Sequence, residues 1–179
     1  MSLDLVIGCM YSGKSTELIR RVNRLKTIHK PYVIYNSSVD TRYGGIGVNT
    51  HNKIREPCVI VDNLINQVET EQFKSADTIF IEEAQFFNDL YRFVTLAVDT
   101  HHKKVVVIGL DGDSNRAIFG DITKLIPLCD NIMKLKALCS QCNDGTPGIF
   151  SKKICGSGEQ IDVGTSDKYM AVCRLCYFK

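Results

Sequence analysis

Gly8-Cys9-Met10-Tyr11-Ser12-Gly13-Lys14-Ser15 spells G-x-x-x-x-G-K-S, a loop whose backbone can cradle the phosphates of a nucleoside triphosphate. The glycines let N–H groups turn inward on phosphate oxygens, Lys14 can reach the outer phosphates, and the Ser15 hydroxyl can bind Mg2+. The run Leu3-Asp4-Leu5-Val6-Ile7 before it reads as a short apolar strand. After it, residues 15–28 carry Leu18, Val22 and Leu25 at helical spacing. A strand, this loop and a helix in that order predict an α/β nucleotide-binding core that takes ATP with Mg2+.

Beyond the loop the chain alternates apolar runs with amphipathic stretches. Residues 32–35 read as a strand, 61–73 as a helix through Leu64, Ile65 and Val68, and 78–81 as a buried strand. A helix over 86–101 follows, then a near-continuous apolar strand over 105–110 of the kind buried on both faces of a parallel sheet, and a last strand over 131–138. The fold expected is a P-loop, RecA-like, mostly parallel sheet flanked by helices over residues 1–138. From Cys139 the composition shifts to glycine, lysine and cysteine, which predicts a small satellite domain over 139–179.

With 179 residues, 44% hydrophobic and 23% charged, the chain suits one well-cored domain plus an appendage, and it holds no repeat or low-complexity tract. A net charge of +2 is too mild to predict nucleic acid as partner. The longest apolar run is Val105-Val106-Val107-Ile108, and no basic leader precedes the first strand, so no membrane association and a cytoplasmic location are expected.

Two features carry chemistry besides the loop. Thr78-Ile79-Phe80-Ile81-Glu82-Glu83 is an apolar strand ending in two carboxylates, one suited to a metal and the next to a substrate hydroxyl. The pairs Cys139/Cys142 and Cys173/Cys176 can bring four thiolates around one Zn2+. Disulfides are the alternative, weakened where no export signal is seen. Cys9, Cys58 and Cys129 read as small buried or idle thiols, and Cys155 as at most a spare ligand.

Taken together, these segments resemble the type II thymidine kinases, cellular and poxviral, from end to end. The phosphate loop, Asp40-Thr41-Arg42-Tyr43, Thr50-His51, Glu82-Glu83-Ala84-Gln85-Phe86-Phe87, Leu110 to Gly120, and Val163-Gly164-Thr165-Ser166-Asp167-Lys168-Tyr169 through Cys173-Arg174-Leu175-Cys176 follow that family's motifs in order. Departures are Glu82 where Asp is usual and Ser114 where Phe is usual. The resemblance implies transfer of the γ-phosphoryl of ATP to the 5′-hydroxyl of thymidine. Glu83 is then the general base, Lys14 and Ser15 handle phosphate and Mg2+, Glu82 and Asp40 belong to the nucleotide site, and Arg42 steadies charge on the transferring group. Main-chain groups near Val163, Gly164 and Thr165 would read the base edge, with Met10, Phe86, Leu110, Ser114, Phe119, Ser151 and Tyr169 as walls. The resemblance further implies a homotetramer, feedback inhibition by dTTP, and a structural zinc that fixes the ends of the substrate-binding loop.

Two other readings remain open. A nucleoside monophosphate kinase can pair a phosphate loop with a four-cysteine lid, although such a lid lies within the core rather than after it. A zinc-bearing ATPase stimulated by nucleic acid would share loop and cysteines but make no phosphorylated nucleoside. The basic residues Arg20, Arg21, Arg24 and Lys26 lie off the apolar stripe of the first helix and read as a solvated face. His101-His102 reads as a helix end, and His51 as structural.

Overall fold

The computed structural model describes residues 1–40, 48–49, 55–156, 159–162, 164 and 167–179. Its strands are β1 (Ser2–Gly8), β2 (Tyr32–Ser37), β3 (Val48–Asn49), β4 (Arg55–Glu56), β5 (Val59–Val61), β6 (Thr78–Glu82), β7 (Lys104–Gly109) and β8 (Asn131–Leu135), followed by β9 (Ala137–Leu138), β10 (Pro147–Gly148), β11 (Phe150–Lys153) and β12 (Tyr169–Val172). The α-helices are α1 (Lys14–Thr27), α2 (Glu71–Ser75), α3 (Leu90–Thr95) and α4 (Arg174–Tyr177).

Six strands form one sheet in the order β5-β2-β6-β7-β1-β8, every pairing parallel. Such a sheet must be covered on both faces, and the period-two alternation of each strand divides its side chains accordingly. Leu3, Leu5, Ile7, Val105 and Val107 face a layer built from Phe73, Phe87, Phe93 and Leu125. Val6, Val106, Ile108 and Phe80 face Leu18, Ile19 and Val22 of α1. Asp4 lies within β1, where its Oδ2 accepts from Arg21 Nη1 of α1 at 2.5 Å; the same guanidinium is shared with Glu17. The register pairs Ile7 with Gly109 and Ile81 with Val107, so Gly8, Glu82 and Leu110 emerge together at the carboxyl edge, where ligands of open parallel sheets bind.

Three expected elements differ. The helix over 61–73 is instead the end of β5, a 3-10 turn at Ile65–Gln67 and the short α2. Thr70 starts the latter by accepting from Phe73 N at 3.3 Å, a cap that splits the apolar pattern. The helix over 86–101 begins only at Leu90, after a 3-10 turn at Ala84–Phe86, and ends in a π-helical turn at Leu96–Thr100. The strand over 131–138 is two: β8 runs beside β1, while β9 pairs antiparallel with β10. The antiparallel β3–β4 pair and a 3-10 segment at Ile122–Leu128 containing Pro127 carry no clear periodic signal.

After β9 the chain makes a compact module in which β11 pairs antiparallel with β12 and α4 follows at once. Its inner cluster is Cys139, Val172, Cys173 and Cys176, flanked by Phe150 and Tyr177. Cys9, Ala137 and Ala171 pack together against Tyr11, joining this module to the phosphate loop.

Candidate active site

The phosphate loop has the backbone its glycines anticipate. Gly13 takes φ +86° just before α1, and Tyr11 also enters the left-handed region at φ 64°. At Gly8 a Cβ would stand 2.5 Å from Leu135 O, so only glycine lets the loop leave β1 here. Lys14 Nζ donates back across the loop to Cys9 O at 2.8 Å. Ser15 Oγ donates to Glu82 Oε1 at 2.5 Å, joining the start of α1 to the end of β6 although β7 lies between β6 and β1. The Ser12 hydroxyl is buried without a hydrogen-bond partner among the described residues. Loop amides, a cation folded over them and a spare buried hydroxyl fit a polyphosphate, and the Ser15–Glu82 oxygen pair fits a hydrated Mg2+. Asp40 is buried three residues beyond β2, its Oδ2 accepting from Asn36 Nδ2 at 3.3 Å; it does not line the cleft described next.

Glu83 follows Glu82 with φ 49°, a left-handed residue that turns the second carboxylate out of the strand direction. The side chain is buried, and Gln85 Nε2 donates to its Oε2 at 2.5 Å. Gln85 Oε1 in turn accepts from Leu110 N at 3.0 Å, so one amide clamps the ends of β6 and β7 while holding the carboxylate. Room for this clamp comes from two glycines. A Cβ on Gly120, itself at φ +62°, would stand 2.3 Å from Gln85 O, and one on Gly109 2.4 Å from Gln85 Oε1.

Glu83 opens into a cleft of about 470 Å3, counted to its open mouth. Met10, Phe86, Leu110 and Phe119 give it apolar walls, and the Phe86 and Phe119 rings meet edge to face with centroids 5.6 Å apart. Ser114, Ser151, Gly164 and Tyr169 of the expected set also line it. Arg42, Val163 and Thr165, with Tyr43, Thr50 and His51, lie outside the described residues.

Five further lining residues had no role assigned from the sequence: Gln85, Gly112, Asp113, Gln160 and Asp162. Asp113 Oδ1 accepts from Asn115 N and Ala117 N, each at 2.8 Å, and its Oδ2 accepts from Gln160 Nε2 at 2.8 Å. An Asp followed by Ser-Asn is a turn signal that could have been read. Asp162 accepts from Lys153 Nζ at 2.7 Å and Lys168 Nζ at 2.6 Å, and its carbonyl accepts from the Tyr169 hydroxyl at 2.7 Å. Burial pushes the Tyr169 phenol up.

The module bears directly on the phosphate loop. Ser151 Oγ accepts from Met10 N at 2.9 Å, Tyr11 Oη donates to Tyr169 O at 3.3 Å, and the Cys9 thiol reaches Gly148 O at 3.4 Å. Burial raises the Cys9 thiol, so it packs rather than reacts.

The four cysteines of the two C-x-x-C pairs converge, their sulfurs all within 4.8 Å of one another. Cys142 Sγ lies 3.8 Å from Cys173 Sγ and 3.5 Å from Cys176 Sγ, near the roughly 3.8 Å edge of a tetrahedral zinc-thiolate site. Burial works to raise the Cys139 thiol, yet N–H groups of Cys142, Cys173 and Gln141 outweigh it and bring it down to about 6. Hydrogen bonds from Cys176, Cys139 and Cys173 push Cys142 up to about 12. Four sulfurs at this spacing suit a divalent cation, which binds thiolates by displacing their protons.

An anion cradle opening onto a buried carboxylate beside an apolar cleft serves to move a phosphoryl group onto a small acceptor, and the class is that of the P-loop phosphotransferases. Comparison with known proteins narrows it: the thymidine kinase family profile matches residues 1–177, and the chain belongs to that family. It is 41% identical over 185 residues to "Thymidine kinase" of Choristoneura fumiferana entomopoxvirus, covering 99% of this chain and 96% of that one. It is 38% identical to "Thymidine kinase a" of Arabidopsis thaliana over 98% of this chain and 74% of that one. Against "Thymidine kinase, cytosolic" of Gallus gallus the identity is 37%, over 99% and 77% of the two chains.

Proposed function

We propose that the protein transfers the γ-phosphoryl group of ATP to the 5′-hydroxyl of thymidine, giving dTMP and ADP. The observation that carries this reading is the continuous line from Ser15 through Glu82 and Glu83 to Gln85, which runs from the phosphate loop into the apolar cleft. Ser15 and Glu82 would hold Mg2+, which would supply charge neutralisation to the phosphates. Loop amides and Lys14 bind and orient the triphosphate. Glu83, fixed by Gln85, accepts the proton of the 5′-hydroxyl as its oxygen bonds to the γ-phosphorus and the bond to ADP breaks. From the family resemblance, Arg42 steadies charge on the transferring group and Asp40 supports the nucleotide side.

Phe86, Phe119, Leu110 and Met10 exclude water from the base, and, from the family resemblance, main-chain groups around Val163, Gly164 and Thr165 read its polar edge. Thymine N3–H donates, whereas cytosine offers an acceptor there, so a backbone acceptor discriminates by leaving cytosine's buried group unpaired. A molecule with both thymine and a triphosphate meets cleft and loop at once, which supports dTTP as feedback inhibitor. Zn2+ at Cys139, Cys142, Cys173 and Cys176 is assigned a structural role in a second unit, residues 139–179, set on a core of residues 1–138. A homotetramer is supported by β8, an edge strand among the described residues that exposes Ile132 and Met133. No nucleic-acid or membrane partner is assigned, since the net charge is only +2 and no described helix is long and apolar enough to cross a membrane. A cytoplasmic site of action accords with cysteines held as thiols rather than disulfides among the described residues.

The test is a nucleoside panel with labelled ATP, scored for monophosphate product. Thymidine is expected to be the best acceptor. ATP turnover that rises with DNA or RNA and yields no phosphorylated nucleoside overturns the assignment.

A further inference from the structure

The segment from Gly112 to Ile118 closes on itself through a bridge between those two residues, and Ser114 on it lines the nucleoside cleft. From the inside the turn is organised by Asp113, which accepts from the amides of Asn115 and Ala117. From the outside it is held by the far end of the chain. Tyr177 Oη donates to Ser114 O at 2.8 Å. The Arg116 guanidinium, on a residue forced to φ 66°, lies 4.6 Å from the Tyr177 ring centroid, 4.7 Å from that of Phe178 and 5.5 Å from that of Phe150. Tyr177 and Phe150 pack at 5.2 Å, and the Tyr177 amide donates to Cys173 O, so this aromatic group is rooted in α4 and β11.

We propose that Tyr177 and Arg116 form a latch that positions residues 113–117 and thereby sets the affinity of the cleft for its nucleoside. The proposal rests on the thymidine reading above. A serine at 114 fills little of the cleft, so the wall lies where the main chain of this turn puts it. That main chain is fixed through the very carbonyl that Tyr177 grips. Arg116 restrains the same turn two residues later by stacking on the aromatic group, an interaction of cation and ring faces that tolerates partial exposure. Neither side chain touches the reacting atoms. Both are positioning residues, and they act on the nucleoside rather than on the triphosphate, which is bound on the far side of Glu83.

Tyr177→Phe keeps the ring stack and removes only the hydroxyl. It is expected to raise thymidine KM about three- to tenfold, the scale of one hydrogen bond, with ATP KM and kcat within about twofold of the wild type. Arg116→Gln is expected to act in the same direction, and Arg116→Lys, which keeps the cation, to fall between it and the wild type. Amide hydrogen exchange without any nucleoside gives a second readout, since the Asn115 and Ala117 amides should exchange faster in Tyr177→Phe while the amides of β1 and β7 do not. Unchanged thymidine KM in Tyr177→Phe, or an equal rise in both substrates' KM, overturns the latch. So does a raised KM without faster exchange at residues 115 and 117. A wild type that does not phosphorylate thymidine overturns the reaction assignment and the latch with it, whereas an active wild type with an unmoved variant overturns the latch alone.

Discussion

Glu83 illustrates how much one residue's setting asks of its neighbours: it is left-handed, buried and gripped by the amide of Gln85. Glu83→Gln removes the proton acceptor at nearly constant shape, and kcat is expected to fall by roughly 10^2 to 10^4 with ATP affinity retained, as steady-state kinetics and nucleotide titration will show. Near-normal turnover would move the base elsewhere. At Ser114 the cleft has a small hydroxyl on its wall. Ser114→Phe adds apolar surface worth roughly 1.5 to 3 kcal/mol if fully buried, so thymidine KM should drop by one to two decades and the nucleoside panel should narrow. An unchanged panel would place the wall away from Ser114. Glu82 and Glu83 were legible because an apolar strand ending in two acids is a rare string. Gln85 was not, because an amide two residues on gives no sign that it will reach back to Glu83 and across to Leu110.

Elements were legible where the chain repeats one period long enough. The strand at β1, the helix α1 and the continuous run of β7 meet that condition, and each lies within a residue or two of its expected bounds. Residues 61–73 do not, since Leu64, Ile65 and Val68 mimic a helical face while Thr70 caps a separate short helix. At this scale glycine decides how two elements approach. The turn at Gly120 passes so close to Gln85 that Gly120→Ala sets a Cβ 2.3 Å from a backbone oxygen, at a φ of +62° that a side chain disfavours. The substitution is expected to cost about 1 to 3 kcal/mol, read as a lowered Tm, and to reduce kcat by disturbing the Gln85 clamp on Glu83. A variant with wild-type Tm and kcat would show that the clamp has slack.

For the molecule as a whole, the four-cysteine cluster was legible from spacing alone, whereas its contact with the phosphate loop was not, because Ser151 and Tyr169 are separated from Met10 and Tyr11 by most of the chain. Cys176→Ser should abolish stoichiometric zinc, checked by elemental analysis, and raise thymidine KM more than ATP KM, since α4 and the cleft wall are joined through Tyr177. Fully active wild-type protein without zinc would sink the metal's structural role. The hydrogen bond from Met10 N to Ser151 Oγ lets one amide of the phosphate loop answer to a side chain that also lines the nucleoside cleft. A ligand that shifts either partner is expected to be felt at the other's pocket, which predicts that the two dissociation constants are linked. Occupancy by a non-hydrolysable triphosphate is expected to change thymidine affinity by some factor, and thymidine must then change the triphosphate's affinity by that same factor. Ser151→Ala should shrink that reciprocal factor toward one, turning a pair of sites that converse into two that merely share a protein.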